Sequence, residues 1–269
     1  MDLKLEGKRA LVTGSSSGIG IGIARRLAAE GARVVVHGRD PERVQSVTRA
    51  INDDGGRASA VVADLATDAG AARVAADALA ALGGIDILVN NAASVVGPPN
   101  GAWLEASADD WAATYHTTVL SAVRLIQALT PGMKARGWGR IIQISSTGAA
   151  FPTATNPQQF AAKAGLSNLT VGLTKALIGT GITVNTVSPG PIMTPAFKSY
   201  LLIKGKQAGW GEDWEVIQRK EAELRNLPAG RFGDIDDIGS AVAYIASPLA
   251  GFICGANLRI DGGWVGVVN

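Results

Sequence analysis

The stretch LVTGSSSGIG, residues 11–20, decides how this chain folds. Its glycines, Gly14, Gly18 and Gly20, follow an apolar run, and the next apolar run begins at Arg33. A strand, a glycine-rich turn, a helix and a second strand within about thirty residues form the unit that binds a dinucleotide. Glycine lets the backbone approach a pyrophosphate, and the helix N-terminus offers free N–H groups and a partial positive charge. The stretch therefore predicts a dinucleotide site, with an ordinary tight turn as the alternative.

The rest of the chain repeats the alternation of strands and helices. Apolar, β-branched runs predict strands at residues 9–13, 33–38, 58–64, 85–91, 140–145 and 182–188. Apolar side chains at helical spacing predict helices at residues 111–129, 157–178 and 235–245. Strands that alternate with helices pair in parallel through right-handed crossovers. We therefore predict an α/β fold in which residues 1–269 form one Rossmann domain, a doubly wound parallel sheet with helices on both faces.

One segment, residues 191–232, interrupts this alternation. It has little strand character, and only its middle, residues 213–225, has helical spacing. A long excursion after the carboxyl end of a strand lies on the side of the sheet where ligands bind. We therefore predict a substrate lid, with a surface appendage that has no role as the alternative.

The composition excludes several classes of protein. With 47% hydrophobic and 18% charged residues, the chain is expected to fold around a core rather than stay disordered. A formal net charge of +2 gives no reason to expect nucleic acid or an anionic membrane as a partner. The sequence contains neither a long apolar run nor a signal peptide, and its single cysteine, Cys254, cannot form an internal disulfide. We expect a cytoplasmic protein with a small-molecule substrate.

The end of the second predicted strand indicates which dinucleotide is bound. His37, Gly38 and Arg39 end the strand, and Asp40 precedes Pro41. An aspartate before a proline is typical of a helix N-cap, in which backbone N–H groups occupy the carboxylate. Arg39 is then free to pair with the 2′-phosphate of NADP(H). The sequence therefore favours NADP(H), with NAD(H) possible and a solvated surface arginine as the alternative.

The order of motifs along the chain resembles the short-chain dehydrogenase/reductase family, and most closely its 3-oxoacyl-carrier-protein reductase-like branch. The matching motifs are TGSSSGIG at 13–20, Asp64 after the third strand, NNAA at 90–93, ISS at 144–146, Lys163, SPGPIMT at 188–194 and DGGW at 261–264. The resemblance covers nearly the whole chain. It implies an NAD(P)(H)-dependent oxidoreductase that acts on a carbonyl or alcohol substrate and assembles as a dimer or tetramer.

The resemblance also implies which residues bind the cofactor, from the phosphates through the adenine to the nicotinamide. They are Gly14, Ser16, Ser17, Gly18, Ile19 and Gly20 at the phosphates, Asp64 and Leu65 at the adenine, Asn91, Ala92 and Ala93 in the middle, and Ile144, Pro189, Gly190, Ile192 and Thr194 toward the nicotinamide. Lys163 is implied to hold the nicotinamide ribose, and Ser146 to hydrogen-bond the substrate carbonyl.

The chain departs from the family pattern at the proton donor. The family's catalytic tyrosine lies thirteen residues after the serine and four before the lysine, and both counts lead to Gln159. A phenol, with an ordinary pKa of about 10, can act as a general acid, whereas a primary amide can only donate or accept hydrogen bonds. A second departure is Thr118, where the family commonly has an asparagine seven residues after a tryptophan, here Trp111. Gln159 can polarise a carbonyl but cannot supply the proton.

Three functions remain open on these residues, with Ser146, Gln159 and Lys163 as the catalytic candidates. The first is an oxidoreductase whose proton comes from water, from the substrate, or from a hydroxyl such as that of Tyr200, Thr155 or Ser146. The second is a catalytically silent NADP(H)-binding homologue with a regulatory or partner role. The third is a non-redox lyase on the same scaffold, against which the intact glycine-rich turn argues.

Two further features concern metals and partner subunits. His37 and His116 are the only histidines, and neither has a cysteine or an acid at metal-ligand spacing, so we predict no metal site. The predicted helix at residues 157–178 carries only Lys163 and Lys175 as charges. A helix that is apolar nearly all round needs burial on both sides, so we expect a homo-oligomer, a dimer or a tetramer.

Overall fold

The fold was described from a computed structural model, which covers residues 1–94, 97 and 103–266. The strands in this part of the chain are β1 Arg9–Val12, β2 Arg33–Gly38, β3 Arg57–Val62, β4 Ile87–Asn90, β5 Gly139–Ile144, β6 Ile182–Pro189 and β7 Asn257–Ile260. They form one sheet in the order β3-β2-β1-β4-β5-β6-β7, and every neighbouring pair is parallel. The predicted doubly wound α/β fold is confirmed.

Helices cover both faces of this sheet. They are α1 Ile19–Ala29, α2 Pro41–Asp53, α3 Asp68–Leu82, α4 Ala108–Tyr115, α5 Ser121–Ala135, α6 Pro157–Ala176, α7 Pro195–Gln207, α8 Trp214–Arg225 and α9 Ile235–Ala246. One core lies between the sheet and α1, α2 and α9, and a second lies between the sheet and α3, α5 and α6. Strand residues alternate between them, so that Leu11 enters the second core and Val12 the first. Each helix in the described residues is too short or too polar to cross a lipid bilayer.

Helices begin where the sequence places capping residues. Asp40 accepts hydrogen bonds at Oδ1 from the N–H groups of Glu42 (3.0 Å) and Arg43 (3.2 Å), which confirms it as the N-cap of α2. Ser107 and Asp110 form a reciprocal capping box at the start of α4. These caps fix where α2 and α4 begin.

Residues 191–232 fold into a layer of their own. Helix α8 confirms the predicted helical middle of this segment. Helices α7 and α8 enclose a small core of Leu201, Ile217, Leu227 and Phe232. Glu221, with 1% of its side chain exposed, joins the two helices because its carboxylate accepts hydrogen bonds from Lys204 Nζ (2.6 Å) and Arg225 Nε (2.8 Å).

Three elements differ from the prediction. Strand β7 was missed because NLRI is short and half polar, and it pairs only with β6 at the edge of the sheet. Helix α7 was missed because its apolar residues follow no single helical stripe. The helix predicted at residues 111–129 is interrupted by a π-helical turn, His116–Leu120, between α4 and α5.

Candidate functional site

The glycine-rich turn lies at the carboxyl end of β1, beside the point between β1 and β4 where the strand order reverses. A Cβ at Gly20 would lie 2.6 Å from both Asn91 Nδ2 and the Gly14 carbonyl oxygen, so no larger residue fits. Asn91 Nδ2 donates hydrogen bonds to the carbonyl oxygens of Thr13 (2.9 Å) and Gly14 (3.1 Å). The turn is therefore tied to the segment that follows β4.

A cavity of about 600 Å³ opens beside this turn. This volume is within the range of small-molecule and cofactor sites, about 300–1,000 Å³. Half of the predicted cofactor residues line it, namely Gly14, Ser16, Ser17, Arg39, Asp64, Leu65, Asn91, Ala92 and Ala93. The lining also includes residues that were not predicted as cofactor ligands, namely His37, Gly38, Asp40, Arg43 and Thr117.

Two arginines stand at the β2 end of the cavity. Arg39 is exposed and has no hydrogen-bond or ion-pair partner among the described residues. Arg43, in the first turn of α2, pairs through Nε with Asp40 Oδ2 at 3.2 Å. Because Asp40 also caps the helix, its carboxylate is occupied, as the sequence predicts. Arg43 was missed, although its position three residues after the N-cap places it on the same side of the helix as Asp40.

The end of β5 and helix α6 bring two of the predicted catalytic residues close together. Lys163 is 5% exposed, and its Nζ donates a hydrogen bond to the Ile144 carbonyl oxygen at 2.5 Å. Burial lowers the pKa of the Lys163 ammonium to about 8. Ser146 lies two residues beyond Ile144, and its Oγ accepts a hydrogen bond from the Gly148 N–H at 3.1 Å. The hydroxyl hydrogen of Ser146 thus remains available to a substrate oxygen.

Gln159 lies one helical turn before Lys163 in α6, which puts both side chains on the same side of the helix. Its side chain is half-buried and makes no hydrogen bond to the described residues. Asn156, the N-cap of α6, has a φ of 53° in the left-handed region, and its side chain does not cap the helix. The side-chain amides of Asn156 and Gln159 therefore have no hydrogen-bond partner among the described residues.

Thr118 lies in the π-helical turn. It is 1% exposed, and its Oγ1 has no hydrogen-bond partner among the described residues. The π-helical turn thus carries a threonine at the position where the family commonly has an asparagine. A π-turn inside a helix frequently marks a functional position.

The loop after β6 approaches the glycine-rich turn from the other side. Thr147 Oγ1 donates a hydrogen bond to the Pro189 carbonyl oxygen at 3.3 Å, which links this loop to the segment that carries Ser146. Thr194 Cγ2 lies 3.8 Å from the position of a Cβ on Gly18. Of the predicted nicotinamide residues, Pro189 therefore contacts the segment after β5 and Thr194 lies beside the glycine-rich turn, and none of the set lines the cavity itself.

The other hydroxyls considered as proton donors have other contacts. Tyr200 is 52% exposed and stacks on Phe197 with ring centroids 6.1 Å apart. Thr155 shares a hydrogen bond with Thr153 at 3.1 Å in an exposed loop. Within residues 1–94, 97 and 103–266, no three His, Cys, Asp or Glu side chains form a group that could hold a metal ion.

Comparison with known proteins agrees with this geometry. A model of the family described as Enoyl-(Acyl carrier protein) reductase matches residues 14–265. The chain is 34% identical over 266 residues to the D-beta-hydroxybutyrate dehydrogenase of Cupriavidus necator, a match that covers 97% of this chain and 99% of that protein. It is 34% identical over 261 residues to the 3-oxoacyl-acyl-carrier-protein reductase FabG of Vibrio cholerae, covering 97% of this chain and 98% of that protein.

Among solved structures, the L-sorbose reductase of Gluconobacter frateurii in complex with NADPH and L-sorbose superposes with a TM-score of 0.93. It is 33% identical, and the match covers 100% of both chains. Because the family model spans almost the whole chain and full-length relatives share a third of its sequence, this protein belongs to the short-chain dehydrogenase/reductase family of oxidoreductases.

Proposed function

We propose that the protein is an NAD(P)(H)-dependent oxidoreductase that interconverts a carbonyl and an alcohol without a catalytic tyrosine. The observation that carries this proposal is the cavity beside the glycine-rich turn, together with Ser146 and Lys163 at the carboxyl end of β5 in the same sheet and Gln159 one helical turn from Lys163. A bound nicotinamide would supply the hydride or accept it. Two features fit such a cofactor. The space around Gly20 leaves no room for a side chain, and Arg39 has no ion-pair partner among the described residues.

Ser146 and Gln159 provide the hydrogen bonds that polarise the substrate. Ser146 Oγ already accepts from Gly148, so it donates its own hydrogen to the carbonyl oxygen. The Gln159 amide, which makes no hydrogen bond to the described residues, adds a second donor. Two donors on one oxygen stabilise the negative charge that develops there during reduction.

The proton must then come from a group other than residue 159. Lys163 is the only titratable side chain in residues 144–150 and 156–166. Its ammonium predominates below a pH of about 8, so water in contact with Lys163 can deliver a proton to the alkoxide. Loss of a positioned general acid costs about 10²–10⁴-fold in rate, which slows the reaction without abolishing it.

NADP(H) is the proposed cofactor of the two, because Arg39 is an unpaired cation at the end of β2. Arg43, whose partner Asp40 is also the helix cap, adds a second positive charge nearby. The similar L-sorbose reductase binds NADPH. In Arg39→Ala, the Kd for NADPH should rise about tenfold and that for NADH should stay the same. Arg49→Ala, on the exposed side of α2, is the matched control.

We also propose that the protein is a homo-oligomer through the outer side of α6. This helix buries only one stripe, which includes Ala162, Leu166 and Thr170. Val171 on α6 and Tyr115 on α4 leave 47% and 45% of their surfaces exposed. Light scattering on the purified protein tests this, because a monomer would contradict it.

Turnover tests the oxidoreductase proposal. NADPH oxidation should be followed against a panel of ketones and aldehydes for the wild type and for Gln159→Tyr. Slow turnover by the wild type supports the proposal, and Gln159→Tyr should be about 10²-fold faster or more. If only Gln159→Tyr turns over, the wild type is instead a catalytically silent dinucleotide-binding homologue. This second function is favoured by Gln159, because an amide at that position cannot supply a proton. If neither turns over, the carbonyl substrate class is wrong.

A further inference from the structure

His37 is buried beside the glycine-rich turn, with 2% of its surface exposed. Its Nδ1 accepts a hydrogen bond from the Gly14 N–H at 3.1 Å, and its Nε2 lies 3.1 Å from the Ala63 carbonyl oxygen. The Gly14 N–H can only donate and the Ala63 carbonyl can only accept. The ring is therefore neutral and carries its hydrogen on Nε2.

The main chain of His37 holds the same turn. The Ser15 N–H donates to the His37 carbonyl oxygen at 2.9 Å, and the His37 N–H donates to Ser15 Oγ at 3.0 Å. Ser15 Oγ in turn donates to the Val12 carbonyl oxygen at 2.7 Å. Both the ring and the backbone of His37 thus fix the first residues of the turn against β2.

The two hydrogen bonds of the ring connect opposite sides of the cavity. Gly14 belongs to the side where the phosphates are proposed to bind, and Ala63 directly precedes Asp64 on the adenine side. The ring therefore sets the distance between these two sides. An apolar side chain, which cannot accept the hydrogen bond from the Gly14 N–H, would leave the turn free to move relative to β3.

We propose that neutral His37 is a positioning residue for the dinucleotide, which holds the Gly14 turn in the conformation that receives the pyrophosphate. This inference rests on the proposed dinucleotide binding and adds to it a residue that acts through the turn. The charged groups that line the cavity together with His37 are Arg39, Asp40, Arg43 and Asp64. None of them is a hydrogen-bond partner of the ring, which bonds to Gly14 and Ala63.

Two variants separate this role from plain core stability. His37→Asn keeps an oxygen where Nδ1 accepts from Gly14, whereas His37→Leu removes both side-chain hydrogen bonds and leaves the Gly14 N–H unpaired. NADPH affinity is measured by fluorescence titration, and stability by urea unfolding. Met133→Ala, a buried truncation in α5 near the start of β5, is the control for lost stability alone. Ring nitrogen NMR shifts of the wild type report the tautomer.

The inference predicts that His37→Leu weakens NADPH binding about tenfold or more, while His37→Asn and Met133→Ala bind almost as the wild type does. It also predicts the tautomer with hydrogen on Nε2. Unchanged affinity in His37→Leu, or a wild-type ring protonated on Nδ1, would overturn this inference and leave dinucleotide binding standing. A wild type that binds neither NADPH nor NADH would overturn the proposed function as well.

Discussion

Protonation of His37 should lower the stability of the folded protein as the pH falls. Burial lowers the pKa of its ring from 6.5 to about 4, although the hydrogen bond to Ala63 and the charge of Asp64 act in the other direction. The unfolded chain therefore binds a proton at His37 that the folded chain excludes. The neutral ring contributes its full stability above pH 6.5, and this contribution is lost as the pH falls toward 4.

The magnitude follows from this pKa difference. At about 1.4 kcal/mol for each pKa unit, the full loss is about 3 kcal/mol, of which about 2 kcal/mol is lost by about pH 5. That is a substantial part of the roughly 5–15 kcal/mol that stabilises a typical domain. The side chain in His37→Asn cannot titrate, so its free energy of unfolding should fall less steeply with acidity than that of the wild type.

The assay is urea unfolding of the wild type, His37→Asn and His116→Asn over this pH range. Carboxylates also titrate there, but they are common to all three proteins, so the difference between curves isolates the histidine. His116 is exposed, and its variant is the matched control that should follow the wild type. Parallel curves for the wild type and His37→Asn would refute the argument, because they would show that the folded protein does not exclude the proton at His37.

Three further predictions concern the turn, the helices α7 and α8, and the proton. Gly20→Ala should lose NADPH binding because its Cβ would meet Asn91 Nδ2 and the Gly14 carbonyl oxygen at 2.6 Å, whereas Gly172→Ala, with no atom within 4 Å, should bind normally in the same titration. Glu221→Gln should destabilise the packing of α7 on α8 by about 3 kcal/mol and raise hydrogen exchange in both helices, while the exposed Glu223→Gln should not. Equal exchange in the two variants would contradict a stabilising role for the ion pairs of Glu221. The rate of carbonyl reduction should fall above a pH of about 8 as the Lys163 ammonium loses its proton, and a rate independent of pH up to 10 would exclude this group.

The order of strands and helices along the chain could be predicted because the sequence signal for each element is local. Apolar β-branched runs and the glycine-rich turn each specify one element, and alternation of elements then restricts the topology to a doubly wound sheet. Strand β7 escaped prediction because its pairing with β6 comes from tertiary contact and not from its own pattern. The π-turn at His116–Leu120 was not predicted, because the apolar spacing of residues 111–129 is that of one continuous helix.

The candidate site was predictable to the extent that its residues follow strand ends. Arg39 was predicted in this way because ligands bind at the carboxyl edge of such sheets. Asp64 was predicted from the family resemblance. Arg43 and His37 were not predicted as site residues. The position of Arg43, three residues after the N-cap Asp40, could have indicated it, whereas His37 could not be found from the sequence because its ring bonds to Gly14, 23 residues away.

The central claim is that a cofactor site is retained while the proton donor has changed. It is tested most directly by titrating the wild-type protein with NADPH and NADH, following fluorescence, and then adding carbonyl substrates to the NADPH complex. We expect saturable binding, tighter for NADPH, followed by slow NADPH oxidation with glutamine at position 159. Failure to bind either dinucleotide would contradict the claim.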